Sequence, residues 1–234
     1  MGTFQPPGEL RTTIVTAHTG STLFWDVDTQ VDFMDPSGAL YVPQAEEIVE
    51  SLAALTSAAD RFSLPVLASA DDHEEIDAEI SLTPDFDRTF PPHCMRGTPG
   101  AARVPETSQT WTLELSHEPV PDEALAAAAR AAAPRVLVHK KQLDVFSNPN
   151  VDRLLEELNP ARVVVYGVAL DFCNKAAVEG LLARQVPHIT VLTDATRPIS
   201  AEDGRRLLDE WRRGGVELTT TTDLLAELEA RGSQ

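Results

Sequence analysis

Residues 90–100 read FPPHCMRGTPG and set a histidine beside a cysteine, in a chain with only 6 histidines and 2 cysteines. Three readings suit such a pair: a thiol nucleophile with its base, a metal ligand beside a bystander thiol, or a stiff turn without chemistry. Prolines restrict the backbone ahead of His93 and glycines after it permit a sharp reversal, which favours a ligand held in a fixed direction. Asp71 and His73, with an acid such as Glu79 between them and His93, add oxygen and nitrogen donors suited to Zn²⁺, Mn²⁺ or Fe²⁺. By spacing alone, D-x-H is met more often by hydrogen-bonded loop residues than by metal ligands.

The second cysteine, Cys173, closes the stretch GVALDFC and falls in the first turn of an expected helix. There the positive end of the helix dipole, helped by a nearby lysine, would favour thiolate and lower the thiol from about 8.5. A buried aspartate could take the thiol proton and return it to a leaving group. Taken alone, a cysteine in an apolar helix is more often a core residue. Asp28 and Lys140 supply the missing types. Lys141 competes with Lys140 for the inward position, and Asp26 and Asp32 compete with Asp28. Asp26 shares the face of Asp28 by strand alternation, the place of a supporting partner.

These residues need elements that bring them together. Apolar, β-branched runs at 22–28, 65–71, 135–140, 162–168, 188–195 and 216–221 predict strands buried on both faces, hence a parallel sheet. Helical patterns at 45–62, 121–133, 151–159, 171–185 and 200–214 alternate with them. The order predicts an α/β fold: three layers, with a doubly wound, mostly parallel sheet of about six strands flanked by helices. Asp28, Asp71, Lys140 and Cys173 then all follow strand ends at one edge, where such sheets carry their sites. Residues 72–110 form a long irregular stretch between two strands, the kind that is usually functional.

The 234 residues predict a single domain over 22–230, preceded by an N-terminal extension, 1–21, that carries few periodic signals. A formal charge of −18 disfavours nucleic acid and anionic membrane surfaces as partners. No apolar run reaches the roughly 20 residues of a membrane span, and the first residues lack a signal peptide's basic start and apolar centre. A cytoplasmic location is therefore expected. Two cysteines exclude a disulfide scaffold and a cysteine-based zinc finger.

DTQVDF (28–33), DDH (71–73), FPPHCMRGTPGA (90–101), VHKKQLDVF (138–146) and GVALDFC (167–173) together resemble, in order, the motifs of the isochorismatase-like cysteine hydrolases. The closest resemblance is to the nicotinamidase/pyrazinamidase branch, and it runs from about Thr22 to Ala195. It implies Asp28 as general base, Lys140 as the charged member and Cys173 as nucleophile. A cis peptide at Val168-Ala169 would let the N–H groups of Ala169 and Cys173 form an oxyanion hole. The metal site maps to Asp71, His73 and His93, with Glu79 as fourth ligand and Asp77 as its alternative. Phe33 and Phe90 would sandwich a substrate ring, Phe90 standing where the family usually has Trp. Asp26 places a carboxylate where the family's first strand is apolar. The resemblance implies a homo-oligomeric, metal-dependent amidohydrolase acting on a small-molecule amide, nicotinamide first, with zinc the foremost metal and iron or manganese alternatives. Another amidase of the superfamily, acting on N-carbamoyl or ureido compounds, and a catalytically silent binding module are the competing readings.

Overall fold

Residues 162–168 show why the chain builds a buried sheet: RVVVYGV forms a strand in which all seven residues are buried. Side chains leave opposite faces of a strand in turn, so a continuous apolar run needs cover on both sides. The computed structural model describes residues 22–232, and the expected extension 1–21 lies outside them.

The first half of the chain gives β1 (Thr22–Val27), the single turn α1 (Val31–Met34), α2 (Val49–Arg61), β2 (Val66–Asp71), β3 (Leu113–Leu115), α3 (Asp122–Ala129) and β4 (Arg135–Lys140). The second half gives α4 (Val151–Leu158), β5 (Arg162–Val168), α5 (Cys173–Ala183), β6 (His188–Arg197), α6 (Ala201–Arg213), β7 (Glu217–Thr219) and α7 (Thr221–Gly232). The strands form one seven-stranded sheet in the order β3-β4-β2-β1-β5-β6-β7, and every pairing is parallel. No helix among the described residues is long and apolar enough to cross a membrane.

Alternation on β1 divides the core. Leu23, Trp25 and Val27 face one cluster, with Leu125, Leu154, Val178 and Leu207 from α3 to α6. Phe24 faces the other, with Leu52 and Leu55 of α2 and Leu224 of α7. In α4 the buried residues Val151, Leu154, Leu155 and Leu158 recur at helical spacing, so one stripe meets the sheet and the rest meets water.

Several elements differ from the sequence expectation, which held neither the turn α1 nor the helix α7. The sheet has a seventh strand, β3, whose three residues are too few to show a period. The run expected as a strand over 216–221 pairs only from Glu217 to Thr219. Thr221 instead opens α7, where Asp194 Oδ1 accepts its N–H at 2.8 Å and its hydroxyl at 3.0 Å. Residues 72–112 hold no strand, only short bridges at His73–Met95, Ile80–Phe90 and Arg103–Gln30 and single 3₁₀ turns at Pro99–Ala101 and Pro105–Thr107.

Candidate active site

Four adjacent parallel strands, β4, β2, β1 and β5, end at the same edge. Lys140 is the last residue of β4 and stands in register with Asp71, the last of β2. Asp28 follows β1, and Cys173 opens α5 after β5. Lys140 is 1% exposed, and its Nζ lies 3.0 Å from Asp28 Oδ2, 3.6 Å from Cys173 Sγ and within an ion pair with Asp71. Lys141 points the other way, to Asp77 Oδ2 at 2.9 Å and Glu74 at 3.7 Å, as alternation requires.

Ser69 Oγ donates to Asp28 Oδ1 at 2.7 Å, which fixes the remaining carboxylate oxygen. Asp28 itself sits just past β1 with a left-handed φ of 49°, so it leaves the alternation that put Asp26 on its face. The expected support of Asp28 by Asp26 takes another form: Asp26 binds Arg103 and Thr29. Asp32, the other rival, is a loop clamp. Its Oδ1 accepts from Ala39 N at 3.0 Å and its Oδ2 from Cys94 N at 2.6 Å. A Cβ on Gly100 would lie 2.2 Å from Asp32 Oδ1, so the GTPG turn needs glycine there.

Burial alone would lower Lys140, but Asp28, Asp71 and Cys173 outweigh it and hold its pKa well above the ordinary lysine value. For Asp71, burial pushes upward, yet Lys140 and the two histidines bring it well below the usual carboxylate range. The thiol departs from the sequence expectation. Burial raises Cys173 well above an ordinary thiol, Lys140 only partly opposes this, and Asp28 and Asp71 add to it. Desolvation of the anion outweighs the lysine, so the buried group favours the thiol form, which needs a base. Cys94 is also buried and pushed far upward, with burial the main cause.

Asp71, His73 and His93 bring ligand atoms within 4.8 Å of one another. His93 Nδ1 lies 2.7 Å from the carbonyl of Pro91, which leaves Nε2 facing Asp71 Oδ2 at 3.5 Å. His73 Nε2 faces the same oxygen at 3.8 Å and Glu79 Oε2 at 3.9 Å, while Asp77 sits 3.6 Å behind its Nδ1. Glu79 is therefore on the side of the converging nitrogens and Asp77 on the far side. The other oxygen of Glu79 accepts from Leu143 N. His73 is fully buried, yet among the described residues neither ring nitrogen makes a hydrogen bond. Buried polar atoms are seldom left unpaired, and two imidazoles beside carboxylates suit a divalent transition metal.

Phe33 and Phe90 flank His93, with ring centroids 5.5 and 6.1 Å from its own. Both line the pocket that opens on Cys173 and Ala169. The peptide Val168-Ala169 is cis. Sequence reasoning missed other wall residues, including Leu40, Leu143, Phe172 and Ile199. It also missed Gln30, whose amide binds the backbone of Asp71, and Arg103. Gln30 lies inside the DTQVDF stretch, so the motif itself carried that signal.

The profile of the isochorismatase domain family matches residues 23–223. The chain belongs to that family. This isochorismatase domain is 29% identical to a nicotinamidase/pyrazinamidase of Mycobacterium tuberculosis, over 84% of this chain and 97% of the relative. It is 25% identical to a nicotinamidase of Saccharomyces cerevisiae, over 74% of this chain and 87% of the relative. Among solved structures, a pyrazinamidase of Pyrococcus horikoshii in complex with zinc superposes with a TM-score of 0.66 at 23% identity, covering 86% of this chain and 99% of that one. At that identity the match speaks for the fold.

Proposed function

We propose that this protein is a metal-dependent cysteine amidohydrolase that converts nicotinamide to nicotinate and ammonia, with residues 22–230 acting as one hydrolase domain. The observation that carries the reading is the meeting of Asp28, Lys140 and Cys173 at one strand edge, beside the Asp71–His73–His93 cluster and under two phenylalanines. The relatives named nicotinamidase and pyrazinamidase support the substrate class.

In this reading the amide lies between Phe33 and Phe90 with its carbonyl near Cys173. Asp28 takes the thiol proton as sulfur attacks the carbonyl carbon. The N–H groups of Ala169 and Cys173 hold the oxyanion, each such donor contributing about 3 kcal/mol. Cys173 opens α5, so its N–H is one that the helix itself leaves unused. Asp28 then passes its proton to the departing nitrogen, ammonia leaves, and water hydrolyses the thioester to the acid and free thiol. Lys140 keeps Asp28 and Asp71 in place and balances their charge. Asp71, His73, His93 and Glu79 would hold the metal, which when bound supplies a Lewis-acidic anchor for the ring nitrogen.

Among the described residues the pocket wall carries no lysine or arginine. A neutral ring amide fits such a wall better than an N-carbamoyl amino acid, whose carboxylate would lack a basic partner. A homo-oligomeric state belongs to the same reading and rests on the resemblance, and a cytoplasmic location is kept as the sequence expectation. The test is ammonia release from nicotinamide, with metal content measured on the same sample and Cys173→Ala as control. Release that depends on Cys173, with about one metal per chain, is expected. A metal-loaded protein that leaves nicotinamide intact would overturn the substrate assignment.

A further inference from the structure

A buried ion pair lies directly beneath Asp28. Asp26 is on the central strand β1, is 0% exposed, and stands in register with Ala68 and Tyr166 on either side. Arg103 comes from the far end of the irregular stretch, and its side chain is 6% exposed. The guanidinium lies over the Trp111 ring, 5.7 Å from its centroid, and makes three hydrogen bonds: Nη2 reaches Asp26 Oδ2 and, at 2.6 Å, Thr29 Oγ1, while Nη1 donates to the carbonyl of Ser69 at 3.0 Å. Thr29 Oγ1 donates to Asp26 Oδ1 at 2.9 Å and lies 2.7 Å from Thr107 Oγ1.

Each of these hydrogen bonds ends next to Asp28. Ser69 accepts the Asp28 N–H on the carbonyl that Arg103 also holds, and donates its hydroxyl to Asp28 Oδ1. Thr29 is the next residue in the chain, and its carbonyl accepts from Val104 N at 3.0 Å. Asp28 meanwhile keeps a left-handed φ, which a non-glycine residue holds only where its surroundings impose it. Exchange of a buried ion pair for apolar residues is often neutral for stability. Stability alone therefore gives little reason for a carboxylate and a guanidinium at this place.

We propose that Asp26 and Arg103 form a positioning pair, which acts through Thr29 and Ser69 to aim the Asp28 carboxylate at the Cys173 thiol. The pair touches no reacting atom. The proposal rests on the role of Asp28 given above, and its test has a readout that does not need the substrate.

The experiment compares wild type, Asp28→Ala, Arg103→Lys, Ser69→Ala and the double variant Asp26→Leu/Arg103→Met as full-length, metal-loaded proteins. Thermal midpoint, kcat and KM for nicotinamide, and the pH dependence of iodoacetamide alkylation at Cys173 are read on each. Peptide mapping separates Cys173 from Cys94. The double variant is expected to melt near the wild type but to lose roughly 10- to 100-fold in kcat with KM little changed, the signature of a misaimed group. Its alkylation profile is expected to move in the same direction as that of Asp28→Ala. Arg103→Lys keeps the charge but loses the fork that reaches three acceptors, so it should follow the double variant. If the double variant does not fold, Ser69→Ala, which breaks only the last link, is expected to shift the same two readouts. Wild-type kcat and alkylation profile in a folded double variant, or in Ser69→Ala, would overturn the proposal. If no variant turns over nicotinamide, the wild type included, the substrate reading fails and the alkylation profile still decides this one.

Discussion

Gln30 grips the backbone of Asp71 with both ends of its amide: Nε2 donates to the Asp71 carbonyl at 2.8 Å, and Oε1 accepts the Asp71 N–H at 2.7 Å. The same Nε2 reaches the Ala101 carbonyl at 2.9 Å, so one side chain joins the exit of β1, the end of β2 and the turn after His93. Gln30→Ala is expected to lower metal affinity about 10- to 100-fold, as loss of a partner that orients a ligand does. It should also cost about 1–3 kcal/mol of stability through unpaired buried backbone groups. Metal titration and thermal unfolding check both, and unchanged metal affinity would show that the clamp is dispensable.

The two cysteines should behave oppositely. Cys173→Ala is expected to reduce turnover at least about 10³-fold while the fold and metal content persist. Cys94 is buried with its backbone N–H on Asp32, and its thiol has no part in the proposed chemistry. Cys94→Ala should keep kcat within about threefold and cost about 1 kcal/mol. Retained turnover in the first variant, or its loss in the second, would reverse the assignment of the nucleophile.

His73 separates the two acids near it. Asp77→Asn weakens a contact behind the imidazole and should cost about 10- to 100-fold in metal affinity. Glu79→Gln removes charge on the side of the converging nitrogens, and should cost more. Calorimetric titration with zinc ranks the two. If Asp77→Asn is the more damaging change, Asp77 is the ligand and Glu79 the support.

The pH dependence of the thiol follows from its burial. Burial, with Asp28 and Asp71 adding to it and Lys140 opposing, holds Cys173 above the ordinary value of 9.0. A raised acid keeps its proton to higher pH, so the neutral thiol dominates through the physiological range and thiolate grows only on the alkaline side. Iodoacetamide alkylation of Cys173 in the substrate-free protein should therefore keep climbing through pH 9 and beyond. A plateau reached near neutrality would show that Lys140 and the helix terminus prevail over desolvation.

Much of the architecture was legible because parallel strands covered on both faces are written as unbroken apolar runs, as in RVVVYGV. β3 was not, since Leu113–Leu115 is too short to show a period and gains its place from pairing with β4. α7 carried a readable signal: Thr220 Oγ1 accepts from Asp223 N at 3.2 Å and donates to Asp223 Oδ2 at 2.8 Å, a capping pattern at its start. At the site, Asp28, Lys140 and Cys173 stood out because they follow strand ends at one edge and sit in the motifs that carry the resemblance, whereas residue type alone left Asp26, Asp32 and Lys141 as rivals. The partner of Arg103 could not be read, because a guanidinium reaches Asp26 only once the loop has folded back over β1. The sign of the thiol shift was misread for a related reason: helix position is local and visible in sequence, whereas desolvation depends on everything packed around the group.

The place of β1 at the centre of the sheet divides the labour between the two halves of the chain. All the metal-site donors lie between Asp71 and His93, so the first half of the chain carries them without help. The thiol arrives only when β5 docks on the other side of β1, late in any synthesis that proceeds from the N-terminus. In the proposed chemistry the sulfur would then meet its base only once both halves of the sheet have come together on β1.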